Sequence, residues 1–185
     1  MAPGKNVELQ YFPSGNLGEA EVLRESARKH YSECLAALDE PSFWRLSEDS
    51  RVECYRFLWL RTFHPAICVR IDITSKGTGE LTKKAGTGKC GFAGVGRLTL
   101  NKTGWLTRNE TGKFLVQLDL GEIWDEPTLE ETNGLDGASW VFEGVKGGKY
   151  HVVDRWSPEK GPVRQIGLAM MIKLAKLRLL YEEVY

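Results

Sequence analysis

The hydrophobic pattern predicts two helices in the first third of the chain. Apolar residues recur every three or four positions over residues 17–39, which is the spacing of an amphipathic helix. A second helix is predicted through residues 51–63, and it should be buried on most sides because Arg56 is the single polar residue of the segment Tyr55–Leu60. Residues 1–13 show neither pattern, and we expect them to form an extended, poorly anchored arm.

Further along, the pattern changes to one that is typical of strands. Apolar and polar residues alternate strictly over residues 66–73, which predicts a half-buried strand. A short strand is expected around residues 80–84, and a third strand at about residues 96–103. A weaker helix is predicted over residues 107–120. A last helix over residues 162–181 begins with a proline, which is well placed in a first helical turn.

A β-hairpin is predicted between the last two helices. Gly147 and Gly148 suit a two-residue turn, because both central positions of a type I′ turn need a positive φ. This turn pairs Val145 with Tyr150 and fixes which residues share a face. One predicted face carries Trp140, Phe142, Gly144, His151, Val153 and Arg155. The other carries Val141, Glu143, Val145, Tyr150, Val152, Asp154 and Trp156.

These elements predict an α+β fold. We expect one domain over residues 1–185, with an antiparallel sheet of about five strands and helices packed on one face. The length of 185 residues is enough to bury a sizeable core.

Composition narrows the possible functions. The formal net charge is zero, which argues against a dedicated nucleic-acid binder or a membrane-surface protein. No run of about 18 apolar residues is present, so no membrane span is predicted. The first residues lack the apolar core of a signal peptide, and a cytoplasmic location is therefore expected.

Neither a metal site nor a cofactor site is predicted. The four cysteines are irregularly spaced and none forms a Cys-x-x-Cys pair, so we expect reduced thiols and no disulfide framework. Gly86, Gly88 and Gly91 match a dinucleotide-binding pattern. These glycines lead into a predicted strand, whereas a phosphate site of that kind needs a following helix.

The hairpin carries the candidate catalytic residues. Glu143 and Asp154 are diagonal neighbours on one face, at roughly 7–8 Å, a separation suited to hydrolysis by two carboxylates. His151 is a candidate general base. The alternative is structural: the two acids lie on the solvated rim of a half-exposed sheet, and His151 is a satisfied structural group.

The hairpin also carries the candidate binding residues, which are Trp140, Tyr150, Arg155 and Trp156. Aromatic and arginine side chains are enriched in protein interfaces, and a partner protein is therefore the expected ligand.

The order of elements, together with the segments YRFLWLRTFHP, GLDGASW, EGVKGGKYHVVDRWSP and LAKLRLL, resembles a family of uncharacterised bacterial proteins over about residues 30–185. The resemblance implies a bacterial origin and a single α+β unit, and it implies no activity. Three hypotheses therefore stand: a non-enzymatic binding domain that uses the hairpin, a hydrolase-like enzyme with a cleft beside it, and a purely structural domain.

Overall fold

An antiparallel sheet of six strands, in the order β4-β3-β2-β1-β5-β6, forms the centre of the structure. The computed structural model describes residues 10–13, 23, 25–88, 96–130 and 136–178. The strands are β1 (Glu53–Arg61), β2 (Ile67–Ile73), β3 (Gly79–Gly86), β4 (Leu98–Leu106), β5 (Ala138–Lys146) and β6 (Lys149–Trp156).

The described helices are α1 (Glu25–Ala37), α2 (Phe43–Leu46), α3 (Arg108–Leu120) and α4 (Pro162–Leu168), and α4 continues as a π-helical segment (Ala169–Leu174). Thr107 caps α3, since its hydroxyl accepts from the backbone N–H of Glu110. Pro162 lies in the first turn of α4, as predicted. The predicted helix over residues 162–181 is too long, because residues 175–178 are not helical. Residues 179–181 lie outside the described chain.

The predicted second helix is wrong, because its residues form β1. This strand lies between β2 and β5 and is covered on both sides, so that its residues from Cys54 to Arg61 are all buried. A strand buried on both faces loses the alternation of apolar and polar residues that identifies a half-exposed strand. Arg56, the single polar residue of the run, is fully buried.

Helices cover both faces of the sheet, whereas helices on one face were expected. On one face of the sheet, which we call the first face, α1 packs through Tyr31, Cys34 and Leu35 against β1, β2, β5 and β6. On the second face, α3 and α4 pack through Phe114, Ile166 and their neighbours against the large aromatic residues of β1 and β5. The α+β class and the antiparallel sheet are confirmed, but the sheet has six strands and two covered faces.

The predicted hairpin register is confirmed. Val145 pairs with Tyr150, and Lys146 pairs with Lys149. Gly147 and Gly148 have φ values of 60° and 80°, which is the conformation that the two-residue turn requires. The faces of β5 and β6 are therefore those that the sequence predicts.

The N-terminal arm is anchored where the structure describes it. Tyr11 and Phe12 are buried in the core of the first face, although they belong to no helix or strand. The Tyr11 hydroxyl donates to the carbonyl oxygen of Glu40 at 3.0 Å. The expectation of a poorly anchored arm is therefore wrong for residues 10–13, and residues 1–9 lie outside the described chain.

None of the described helices combines the length and the apolar character that crossing a bilayer would need.

Candidate functional site

A row of polar side chains crosses the first face of the sheet. Directly paired residues lie side by side on one face. The strand register therefore aligns five polar residues from β5 to β4, which are Glu143, Arg56, Arg70, Thr82 and Thr103. The row begins in the closed core under α1 and α2 and ends on the exposed strand β4.

The buried end of the row is an ion pair between β1 and β5. Arg56 donates to Glu143 Oε2 through Nη2 at 2.6 Å and through Nε at 2.9 Å. The Tyr150 hydroxyl donates to the other carboxylate oxygen, Glu143 Oε1, at 2.9 Å. Both oxygens of Glu143 are thus occupied, and neither charged side chain reaches solvent.

Glu40 extends the ion pair into a network. It lies in the connection between α1 and α2, and its buried carboxylate is 3.5 Å from Arg56 Nη1 and 3.4 Å from Arg70 Nε. Lys84 Nζ lies 3.0 Å from the other oxygen of Glu40. Asp72 completes the network at 3.5 Å from Arg70 Nε. Three cations and three anions are therefore combined, and their formal charges cancel.

Burial dominates the electrostatics of this network. It raises the pKa of the Glu143 carboxyl, while Arg56 and the Tyr150 hydroxyl oppose the shift. The pKa of Asp72 is also raised, first by burial and then, against the pull of Arg70, by the neighbouring charges of Glu40 and Glu80. A buried pair whose hydrogen bonds are complete holds its strands in one register, since loss of either partner leaves an uncompensated charge.

The exposed end of the row forms a surface that we call the Trp105 face, which consists of Asp72, Glu80, Asn101, Thr103 and Trp105. The strand register pairs Asp72 with Glu80 and Glu80 with Trp105. The Trp105 side chain is 66% exposed, whereas the neighbouring Thr82 is buried and bonded to the Thr103 hydroxyl at 3.1 Å. An exposed indole therefore lies beside Glu80, and Asp72 lies on the far side of Glu80 from it.

The sheet separates the three candidate catalytic residues. Glu143 and Asp154 lie on the first face, and His151 lies on the second face, where its ring is 5.8 Å from that of Trp124. Asp154 accepts from the Tyr31 hydroxyl at 2.9 Å, which occupies one of its oxygens. Glu143 does not lie on a solvated rim, as one interpretation of the sequence had it, because it is fully buried against Arg56.

Burial also lowers the pKa of His151, an effect that the backbone groups of Ile123 and Glu126 oppose. The space that Gly144 leaves opposite His151 is filled, since a Cβ on Gly144 would lie 3.1 Å from the Trp124 ring. The geometry thus provides no site on which the three candidate residues could act together.

The four candidate binding residues are largely inside the protein. Trp140 is fully buried between Phe57 and Trp59, and Arg155 is 6% exposed. Arg155 pairs with Glu126 at 2.6 Å and donates to the carbonyl oxygen of Pro127 at 2.9 Å, and so fixes the segment before β5. Tyr150 and Trp156 are partly buried. The hairpin therefore contributes mainly to the core.

Trp105 is not among the site residues that the sequence predicts. Its strand was predicted only as far as residue 103, and no pattern in a single strand indicates that the strand lies at the edge of a sheet. The sequence around Trp105 offers no signal that distinguishes it, since Trp124 and Trp156 also lie outside apolar runs and both are partly buried.

Within the described part of the chain, no three His, Cys, Asp or Glu side chains are grouped so that they could hold a metal ion. Comparison of the sequence with models of protein families and with curated proteins gave no match.

Proposed function

We propose that this protein is a non-enzymatic binding domain, and that it binds another protein through the Trp105 face and not through the hairpin. The observation that carries the proposal is the exposure of Trp105, at 66%, beside Glu80, with Asp72 on the strand beyond Glu80. Tryptophan anchors are enriched among the residues that dominate binding energy in protein interfaces.

The rigidity beneath this surface supports the proposal. Arg70 and Asp72 belong to the ion-pair network that continues into the core, and the Thr82 hydroxyl is hydrogen-bonded to that of Thr103. A preformed surface loses little conformational entropy when a partner binds, so more of the contact energy appears as affinity.

A hydrolase is supported less well. Glu143 has both carboxylate oxygens occupied and is fully buried, and His151 lies across the sheet from it. A general acid or base must come within hydrogen-bond distance of the substrate, directly or through one water. Nothing in the arrangement of the three residues favours that alternative over binding.

Selection of peptides from a random displayed library against the purified protein tests the proposal. Selected peptides should bind the wild-type protein and the variant Leu120→Gln equally well, and Trp105→Thr at least tenfold more weakly. Leu120 is the matched control, because it is an apolar side chain 81% exposed on α3, away from the first face. Thermal unfolding should show that both variants fold. Binding that is unaffected by Trp105→Thr would contradict the proposal.

A further inference from the structure

The outer edge of β4 pairs with no other strand of the described residues, because β4 is the first strand of the sheet order. All five residues from Asn101 to Trp105 are exposed. An edge strand of this kind presents backbone N–H and C=O groups that another extended segment can use for pairing. Addition of a strand to such an edge is an established way for proteins to recognise peptides.

The two sides of this edge carry opposite charges. On the first face, Trp105 is paired with Glu80, and Glu80 enters none of the ion pairs among the described residues. On the second face, Lys102 is exposed and is paired with Lys83, whose ammonium group donates to the carbonyl oxygen of Ala175 at 2.7 Å. A segment along β4 therefore meets an acidic, aromatic surface on one side and a lysine on the other.

We propose that the partner binds as an extended segment that adds a strand to β4 and carries a basic and an acidic residue three positions apart. This inference rests on the proposed function and names the partner's chemistry. The basic residue lies over Trp105 beside Glu80, where an ammonium or guanidinium group gains a cation–π contact and an ion pair. The acidic residue lies beside Lys102.

The spacing of three follows from strand geometry. Trp105 and Lys102 are three positions apart in β4 and point to opposite faces, since successive side chains of a strand alternate. Residues directly paired across two strands share a face. The residues opposite Trp105 and Lys102 are therefore also three apart, in an order set by the direction of the added strand.

Charge argues against a second copy of this chain as the occupant. Antiparallel pairing of two β4 strands near their centres would place Lys102 opposite or diagonal to its own equivalent. Like charges at such positions destabilise a strand pair.

Synthetic nine-residue peptides of threonine and valine test the inference, with the wild-type protein and its variants. Two peptides carry one Lys and one Glu three positions apart, in the two orders, and a control carries them two positions apart. We expect one of the two orders to bind at least tenfold more tightly than the control. N-methylation of alternate backbone amides, on the edge of the better peptide that would pair with β4, should abolish binding.

A charge exchange gives the second measurement. Lys102→Glu should weaken binding of the better peptide at least tenfold, and replacement of the peptide's Glu by Lys should restore it. Glu80→Gln should weaken binding of either form of the peptide. Amide hydrogen exchange in β4 should slow in the complex.

The outcomes separate the two proposals. Selected or synthetic peptides that bind independently of Trp105 overturn the proposed function. Binding that needs Trp105 but ignores N-methylation and the charge exchange overturns only the added strand, as does failure of both peptide orders to bind. If light scattering showed that the wild-type protein is a dimer and that Thr103→Pro is a monomer, the occupant of the β4 edge would be a second copy of the chain. That result would also overturn the added strand from another protein.

Discussion

Arg56 and Glu143 lie 87 positions apart in the sequence, and their side chains are joined at 2.6 Å inside the sheet. Their strands are adjacent and place the two residues directly opposite each other. The ion pair therefore links β1, in the middle of the sheet, to the hairpin that follows α3, and its contribution to stability can be measured.

Removal of either partner should be strongly destabilising. Arg56→Met or Glu143→Gln leaves an opposite charge or a buried hydrogen-bonding group uncompensated, which costs about 3–5 kcal/mol in comparable buried pairs. The double variant should be more stable than the sum of the single changes implies, by ~1 kcal/mol or more. Urea unfolding measures the stability of the two single variants and of the double variant. Arg51→Met is the control, because its ion pair with Asp49 is exposed and should contribute little. Additive effects would mean that the two side chains are not coupled.

Gly167→Ala should destabilise the protein although alanine favours helices. A Cβ at this position in α4 would lie 2.6 Å from Phe57 Cζ and 3.0 Å from Trp140 Cε3, so the core would have to shift. Overpacking of this kind typically costs about 1–3 kcal/mol. Gly112→Ala in α3 is the matched control, because its Cβ meets nothing within 4 Å. It should stabilise by about 0.5–1 kcal/mol. If denaturant unfolding showed that Gly167→Ala and Gly112→Ala change the free energy of unfolding equally, that result would contradict the packing of α4 on the second face.

Gly147→Ala should destabilise the hairpin turn without a steric clash. No atom lies within 4 Å of a Cβ at Gly147, but its φ of 60° is costly for a residue with a side chain, by roughly 1 kcal/mol. Lys149→Glu serves as the companion change. It removes the like-charge pairing with Lys146 and should be neutral or slightly stabilising. If thermal unfolding showed that Gly147→Ala leaves the stability unchanged, that result would argue against the observed turn.

Acid should destabilise the protein in part through His151. Burial lowers the pKa of this imidazole below its ordinary value of 6.5. Between that value and the lower folded pKa, the unfolded state binds more protons, and stability falls as the pH falls. One such group contributes a slope of at most about 1.4 kcal/mol per pH unit. His151→Phe keeps an aromatic ring beside Trp124, and its stability should decline less between pH 7 and pH 5. If the free energy of unfolding of the wild type and of His151→Phe fell equally between pH 7 and pH 5, His151 would not be a source of the acid sensitivity.

Cys34, Cys54 and Cys68 are buried, and none of the three forms a disulfide within the described part of the chain. Burial raises the pKa of Cys54 and of Cys68, with neighbouring carboxylates adding to the effect, so both remain neutral thiols at pH 7. We expect all three to react slowly with a thiol reagent until the protein is unfolded. Intact mass under non-reducing conditions should correspond to four thiols, the fourth being Cys90, which lies outside the described residues. A mass lower by the hydrogens lost in disulfide formation would contradict the prediction.

Several elements were predictable from the sequence because their signals are local. Gly147 and Gly148 determine the turn, and the turn determines the register of the whole hairpin. The alternation of residues 66–73 identified β2 and its two faces. The α+β class follows from combining such elements. None of these inferences needs information about distant parts of the chain.

The candidate site was not predictable in this way. Glu143 and Asp154 looked like a solvated or catalytic pair because the sequence does not show that Arg56 and Tyr31 reach them from other elements. Trp140 and Arg155 looked like a binding surface, whereas the second helix layer and the segment before β5 bury them.

Tertiary position decided the rest. The segment Tyr55–Leu60 is a strand because it lies in the middle of a sheet that is covered on both faces, where burial removes the alternation of apolar and polar residues. Trp105 is exposed because β4 lies at the edge of that sheet. Turn conformation and side-chain alternation depend on neighbours in sequence, and the sequence alone determined them. Burial, ion pairing and edge position depend on which strands lie beside one another, and only the folded structure decided them.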